Sequence, residues 1–265
     1  MHNPDDSFNE AEKVQVEQMS KELAPVAQLL EAVVRSSDVI MIGEGNHFDA
    51  DTKKYSQQIF LSLLAFADRN CVVFLELSDI QNKTAHFDYA VEYCREHGIP
   101  CYAVDTANTY SAGDPGLYPE REIAMARNIR TVLKEKPGSL GIFLGGSNHC
   151  NKNGVHINNL SEQGKNYEYP SAATLLKDEY RVGAVALHFM HKREMLAKSV
   201  DESQEILSLP GKYANSFLSQ TFSSSGELHP VRHKISPDSF DMIAFFPTLE
   251  KRIFNILRGG QKKRL

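Results

Sequence analysis

The chain has 265 residues, 42% of them hydrophobic and 24% charged, and carries a formal net charge of −5. That length suits one large domain better than two. The acidic balance excludes nucleic acid as the main partner, because phosphate binding needs a basic surface, and no apolar run approaches the roughly 20 residues of a membrane span.

The N-terminus, Met1 to Glu12, is polar and acidic and has no apolar signal-peptide core. The expected location is therefore cytoplasmic, or exported without a classical signal peptide. Residues 1–9 read as a disordered N-terminus, and 10–265 as a single α/β domain. Glu10 to Arg35 reads as helical, since Val14, Met19, Leu23, Val26, Leu30 and Val33 recur at roughly helical spacing, with Pro25 as a break or second start.

A strand over Asp38–Ile42 follows and runs into Gly43-Glu44-Gly45-Asn46-His47. The next helix spans about Thr52 to Asp68. The apolar run Cys71 to Leu75 is a second strand and ends in Glu76. A helix near Gln81 to His97 leads through Gly98-Ile99-Pro100 to the strand Cys101–Val104, which ends in Asp105. The stretch Thr106–Pro119 is rich in Gly, Pro, Ser and Asn and is a loop. Glu120–Lys136 is helical, and Leu140–Leu144 is a strand ending in Gly145-Gly146. Residues 147–168 read as a long polar loop, Ser171–Asp178 as a short helix and Arg181–Leu187 as a strand. The segment 192–237 is less periodic and reads as an insertion. Phe240–Phe246 returns as a strand, and Leu249–Leu257 as a closing helix.

Fully apolar strands alternating with helices are the signature of a mostly parallel β-sheet sandwiched by helices. Parallel strands place their carboxyl ends on one edge, where ligands of such sheets bind. Glu44 and His47, Glu76, Asp105 and His149 all stand at those ends. Two carboxylates and two imidazoles in one cleft can activate water, the imidazole taking a proton and a carboxylate fixing its tautomer. The same set, Glu44, His47, Glu76 and His149, could hold a divalent metal, Mn or Zn, through mixed N and O ligation. Glu76 directly follows five apolar residues and is costly to bury without a partner. Arg121 lies in the first turn of its helix, against the helix dipole, which makes it a candidate for holding a carboxylate or an oxyanion. The face of that helix is set by Ile123, Ala126 and Ile129. His156 reads as a loop residue. His86, His97, His188, His191, His229 and His233 have no motif context and read as structural or solvated.

The four cysteines, Cys71, Cys94, Cys101 and Cys150, show no Cys-x-x-Cys spacing and read as free thiols in a reducing compartment.

These motifs resemble the erythromycin esterase / ChaN / TIKI superfamily. The resemblance rests on Gly43-Glu44-x-x-His47, on Glu76 after the second strand, on Arg121-x-x-x-Met125-Ala126-x-Asn128-Ile129 and on Gly146-x-x-His149. It runs from about Asp38 to Leu187. It implies a hydrolase that activates water to cleave an ester or an amide (peptide) bond. His47 would be the general base, Glu44 and Glu76 orienting or acidic partners, Arg121 a charge clamp and His149 a second imidazole. The superfamily includes metal-free esterases, metal-dependent peptidases, peptidase domains of bacterial toxins and haem-binding lipoproteins. The cofactor is accordingly none, or Mn or Zn. A haem site would draw on Tyr102, Tyr110, Tyr118, His149 and His156. The substrate is a small molecule, a peptide or a protein, and the segment 192–237 would select a protein substrate in an effector-like member. Two positions differ from the family pattern: Gly146 stands where the esterases carry a first histidine, and Glu122 follows Arg121 where an aspartate is usual.

Overall fold

The apolar runs become the strands of one sheet, because each of them is covered on both faces. The computed structural model describes residues 24–44, 50–80, 86–106, 118–159, 165–189, 207–210, 231–233 and 238–246, with Val14, Gln18, Lys21 and Glu22. The strands are β1 (Ala24–Pro25), β2 (Val39–Glu44), β3 (Cys71–Leu75), β4 (Cys101–Ala103), β5 (Leu140–Gly146), β6 (Val155–Asn159), β7 (Lys165–Tyr169), β8 (Val182–Phe189), β9 (Leu207–Pro210), β10 (Val231–His233) and β11 (Met242–Phe246). The helices are α1 (Val26–Ser36), α2 (Ala50–Phe66), α3 (Asp88–His97), α4 (Tyr118–Glu135), α5 (Ser147–Cys150) and α6 (Ala172–Leu176).

The main sheet has the strand order β1-β9-β11-β8-β2-β5-β3-β4. Six strands, β11 through β4 in that order, pair in parallel. Two antiparallel pairings, β9 on β11 and β1 on β9, extend it at one edge. β2 sits near the middle, hydrogen-bonded to β5 on one side and β8 on the other, and all six of its residues are buried.

The direction of the crossovers decides which helix covers which face. From β2 the chain steps outward to β3 and β4 through α2 and α3. It then steps back through α4 to β5 and through α5 and α6 to β8. Right-handed crossovers that reverse direction fall on opposite faces. Two cores result. Ile40, Ile42, Val73, Leu75 and Leu144 point into one, against Leu30 and Val34 of α1, Phe60 and Leu63 of α2 and Val91 of α3. Val39, Met41, Val72, Phe74 and Phe143 point into the other, against Met125 and Ile129 of α4, Cys150 of α5 and Leu176 of α6. The strict alternation along β2 and β3 continues past the last apolar residue. It sends Glu44 to the α2/α3 side and Glu76 to the α4/α6 side.

Local chemistry sets the element ends. α1 begins at Val26 directly after Pro25, so the expected break is a helix start. α3 stops at Gly98, whose φ of +67° is a left-handed conformation that suits glycine, and the Ile99 N–H closes on the Cys94 carbonyl at 2.8 Å. The Ser171 hydroxyl caps α6 by accepting from the Thr174 N–H at 3.0 Å.

The structure departs from the sequence expectation in one place. Residues 147–168 are not all loop: they contain α5 and a hairpin, in which β6 pairs with β7 and with β10 in a small second sheet. Within the segment 192–237, β9 joins the main sheet and β10 the small one. The expected disorder of residues 1–9 and the closing helix Leu249–Leu257 lie outside the described residues.

Candidate active site

Glu44 ends β2 with a side chain that has no exposed surface. Its register partners are Gly146 on β5 and Leu187 on β8, neither of which offers a charge. A polar partner comes from far along the chain: His86, just before α3, places Nε2 2.5 Å from Glu44 Oε2. The start of α3 is tied to α2 on the same side, by Lys53 donating to Asp88 at 2.8 Å and by a 2.9 Å bond between the Ser56 and Tyr89 hydroxyls. Burial and the nearby Glu44 carboxylate together hold the Tyr89 phenol well above its ordinary value.

Glu76 gathers a larger set on the other face. One carboxylate oxygen, Oε2, accepts from the Gly146 N–H at 2.6 Å. The other, Oε1, accepts from the Arg121 guanidinium and lies 3.0 Å from His149 Nε2. Arg121 also clamps Asp105 with two bonds, Nε to Oδ1 at 2.8 Å and Nη2 to Oδ2 at 2.6 Å. A cation placed against its helix dipole is thus held by two carboxylates from the ends of β3 and β4. The close fit requires glycine next door, because a Cβ on Gly145 would sit 2.8 Å from Glu76 Oε2. On β2, a Cβ on Gly43 would sit 2.7 Å from the Ser147 Cα, so α5 lies directly on the strand backbone and carries His149 to the sheet edge.

His149 is bonded at both ring nitrogens. Its Nδ1 lies 2.5 Å from Glu122 Oε1, and Glu122 Oε2 accepts from the Ala172 N–H at 2.7 Å. Burial alone would pull its pKa down, but Glu122 and Glu76, one on each side, outweigh that and raise it to about 10. At neutral pH the ring is an imidazolium that donates both N–H groups. It is a fixed positive charge and not a base.

The sign of this shift fixes a pH dependence. A proton bound more tightly in the fold than in the open chain stabilises the fold fully below the ordinary value of 6.5, and the gain disappears as pH rises toward about 10. Urea unfolding of wild type and His149→Gln should show the widest stability gap near pH 6, closing steadily toward pH 10. A gap that stays constant or widens would mean that the folded protein holds a neutral ring.

The same fold occurs in solved structures. A protein from Bacillus cereus superposes with a TM-score of 0.61 at 10% identity, over 91% of this chain and 98% of its own. A succinoglycan biosynthesis protein gives 0.63 at 10% identity over the same shares of the two chains. An erythromycin esterase mutant in its open conformation gives 0.58 at 12% identity, over 83% of this chain and 93% of its own. The chain has the erythromycin-esterase fold. No family model and no curated protein matches the sequence.

Within the erythromycin-esterase fold, the structure brings Glu76, Arg121 and His149 into direct contact and adds Asp105. Glu44 stands at the same edge but on the opposite sheet face. The buried Cys150 thiol lies on the Glu76 side of the sheet: burial raises its pKa first, and then Glu76, Glu122 and Glu44 all push it further. His47 and Tyr110 lie outside the described residues, as do the side chains of Tyr118 and His156. Tyr102 packs on the Phe74 ring with centroids 6.3 Å apart, an ordinary core contact. All four cysteines are free, with Cys94 and Cys150 buried and Cys71 and Cys101 partly so.

His47, one of the four expected metal ligands, lies outside the described residues. Among the described residues no group of three or more His, Cys, Asp or Glu is arranged to hold an ion. Nor is any described helix long and apolar enough to cross a membrane.

Two residues of the site escaped the sequence reading. Glu122 is 1% exposed and falls on the buried stripe of α4 with Met125, Ala126, Ile129 and Leu133, whereas Ile123, assigned to that face, is 44% exposed. A carboxylate in register with core positions was the available signal. His86, expected to be structural or solvated, meets Glu44, and nothing local in the sequence marks that contact.

Proposed function

We propose that this chain is a hydrolase that activates water with Glu44, His47 and Glu76 to cleave an ester or amide bond. The observation that carries the proposal is the Glu76 carboxylate, held at the carboxyl edge of a parallel sheet by Arg121, His149 and the Gly146 N–H. Such edges are where ligands of these sheets bind. Arg121 and His149 fix the Glu76 carboxylate in a largely dry setting. A carboxylate held in that way can orient an attacking water or an acid–base partner. Water activation falls to His47, which follows Glu44 by three residues and is the base that the family resemblance implies. The fold shared with an erythromycin esterase supports an ester-cleaving reading without choosing the substrate.

The test is turnover of a panel of 4-nitrophenyl esters and chromogenic peptides by the wild type, by His47→Ala and by Glu44→Gln. The wild type should turn over at least one class. Each variant should lose roughly 100-fold or more in kcat, the size of a general acid–base contribution. If both variants keep wild-type turnover, the hydrolytic centre has been assigned to the wrong residues.

A further inference from the structure

The Glu44–His86 pair invites the question of why it exists. Glu44 ends a central strand between Gly146 and Leu187, with no exposed side-chain surface. A buried hydrogen-bonded polar pair is a weak stability device, and an apolar replacement of both partners is often neutral or stabilising. The fold therefore has no need of a carboxylate there. The histidine that meets it is also held with care. Its ring stands edge-on to Phe87 with centroids 4.8 Å apart, and the two residues after Phe87 are each tethered to α2, Asp88 through Lys53 and Tyr89 through Ser56. The imidazole is thus anchored by the start of a helix, and its side chain is 12% exposed while the carboxylate behind it is fully covered. A hydrogen bond from a ring whose own rotamer is locked by packing fixes the orientation of the carboxylate it meets.

We infer that His86 is a positioning residue of the hydrolytic centre, its Nε2 fixing the Glu44 carboxylate in the orientation that the reaction uses. The inference rests on the hydrolase reading above, and adds to it a residue from a different segment of the chain. His86 acts through Glu44. Its loss therefore lowers turnover without changing substrate binding, and costs nothing further once Glu44 has lost its charge.

The experiment is steady-state kinetics on 4-nitrophenyl acetate and on the best substrate of the panel, with His86→Leu, His86→Gln, Glu44→Gln and the Glu44→Gln/His86→Leu double variant. Glutamine keeps an N–H donor near the position of Nε2, and leucine does not. His86→Leu should lose roughly 10- to 100-fold in kcat, the usual cost of removing a supporting partner, with KM within about threefold of wild type. His86→Gln should recover most of that loss. The double variant should be no slower than Glu44→Gln alone. An active wild type whose His86→Leu form keeps its kcat, or whose double variant shows the two losses multiplied, overturns the role of His86 and leaves the hydrolase reading standing. A wild type inactive on every ester and peptide overturns the hydrolase reading, and this inference with it.

Discussion

Glu76→Gln is expected to lower stability by about 3 kcal/mol, the low end of the range for breaking a buried pair, and to lower kcat by roughly 100-fold or more. The carboxylate accepts from three donors: the Arg121 guanidinium, His149 Nε2 and the Gly146 N–H. A glutamine offers one carbonyl oxygen and one donor. Whichever way the amide turns, its NH2 faces either the Gly146 N–H or the two cations, and at least one donor is left without an acceptor. The lost charge also removes one of the two carboxylates that keep the His149 proton in place, so the ring gives up that proton at lower pH. Urea unfolding, with a kinetic assay on the same preparation, separates the two effects. A Glu76→Gln protein as stable and as active as wild type would show that the strand-end cluster contributes to neither.

Arg121→Lys is expected to lose about 2 kcal/mol, the scale of hydrogen bonds to charged groups, despite conserving the charge. Arg121 spans two carboxylates at once, with Nε and Nη2 on Asp105 and Nη2 also on Glu76. The planar fork matches that geometry, and a lysine ammonium does not. Burial works against the charge, but Asp105 and Glu76 more than offset it and tighten the proton on the guanidinium. With lysine at this position, Asp105 or Glu76 loses its bond to the side chain, although Glu76 keeps His149 and the Gly146 N–H and Asp105 keeps the Thr106 N–H. The loss should appear as a fall in Tm and as roughly a tenfold or greater fall in kcat. Equal stability of the two proteins would mean that solvent, and not the fork, satisfies the carboxylates.

The parallel sheet was readable because its strands are short, fully apolar and punctuated by turn residues, a pattern that only double coverage explains. The positions of Glu44, Glu76, Asp105 and His149 followed from that, since strand ends are fixed once the strands are. The sequence alone did not show that Glu44 and Glu76 leave opposite faces of the sheet, although the period-two alternation from Val39 and from Val72 carries that information. Glu122 was missed because Ile123 offered an apolar residue one position away, and hydrophobic bias outweighed register. His86 could not be read: it meets Glu44 across 42 residues of chain, and no local pattern encodes such a contact. Residues 147–168 were read as loop because polar strands of a small, partly solvated sheet lack the apolar signature of the main one.

The strand order has a consequence for how the site comes into being. β5 lies between β2 and β3 in the sheet but follows both, and β4, along the chain. β2 and β3 therefore cannot zip together as they emerge, and a gap one strand wide must stay open between them. Glu44 can meet His86 when only the first α/β units exist. Glu76 cannot acquire the Gly146 N–H or His149 until β5 has entered that gap. The Glu44–His86 contact thus needs only elements up to the start of α3, whereas the contacts of Glu76 with Gly146 and His149 need β5 and α5 as well, so a single inserted strand both closes the sheet and completes the second half of the centre.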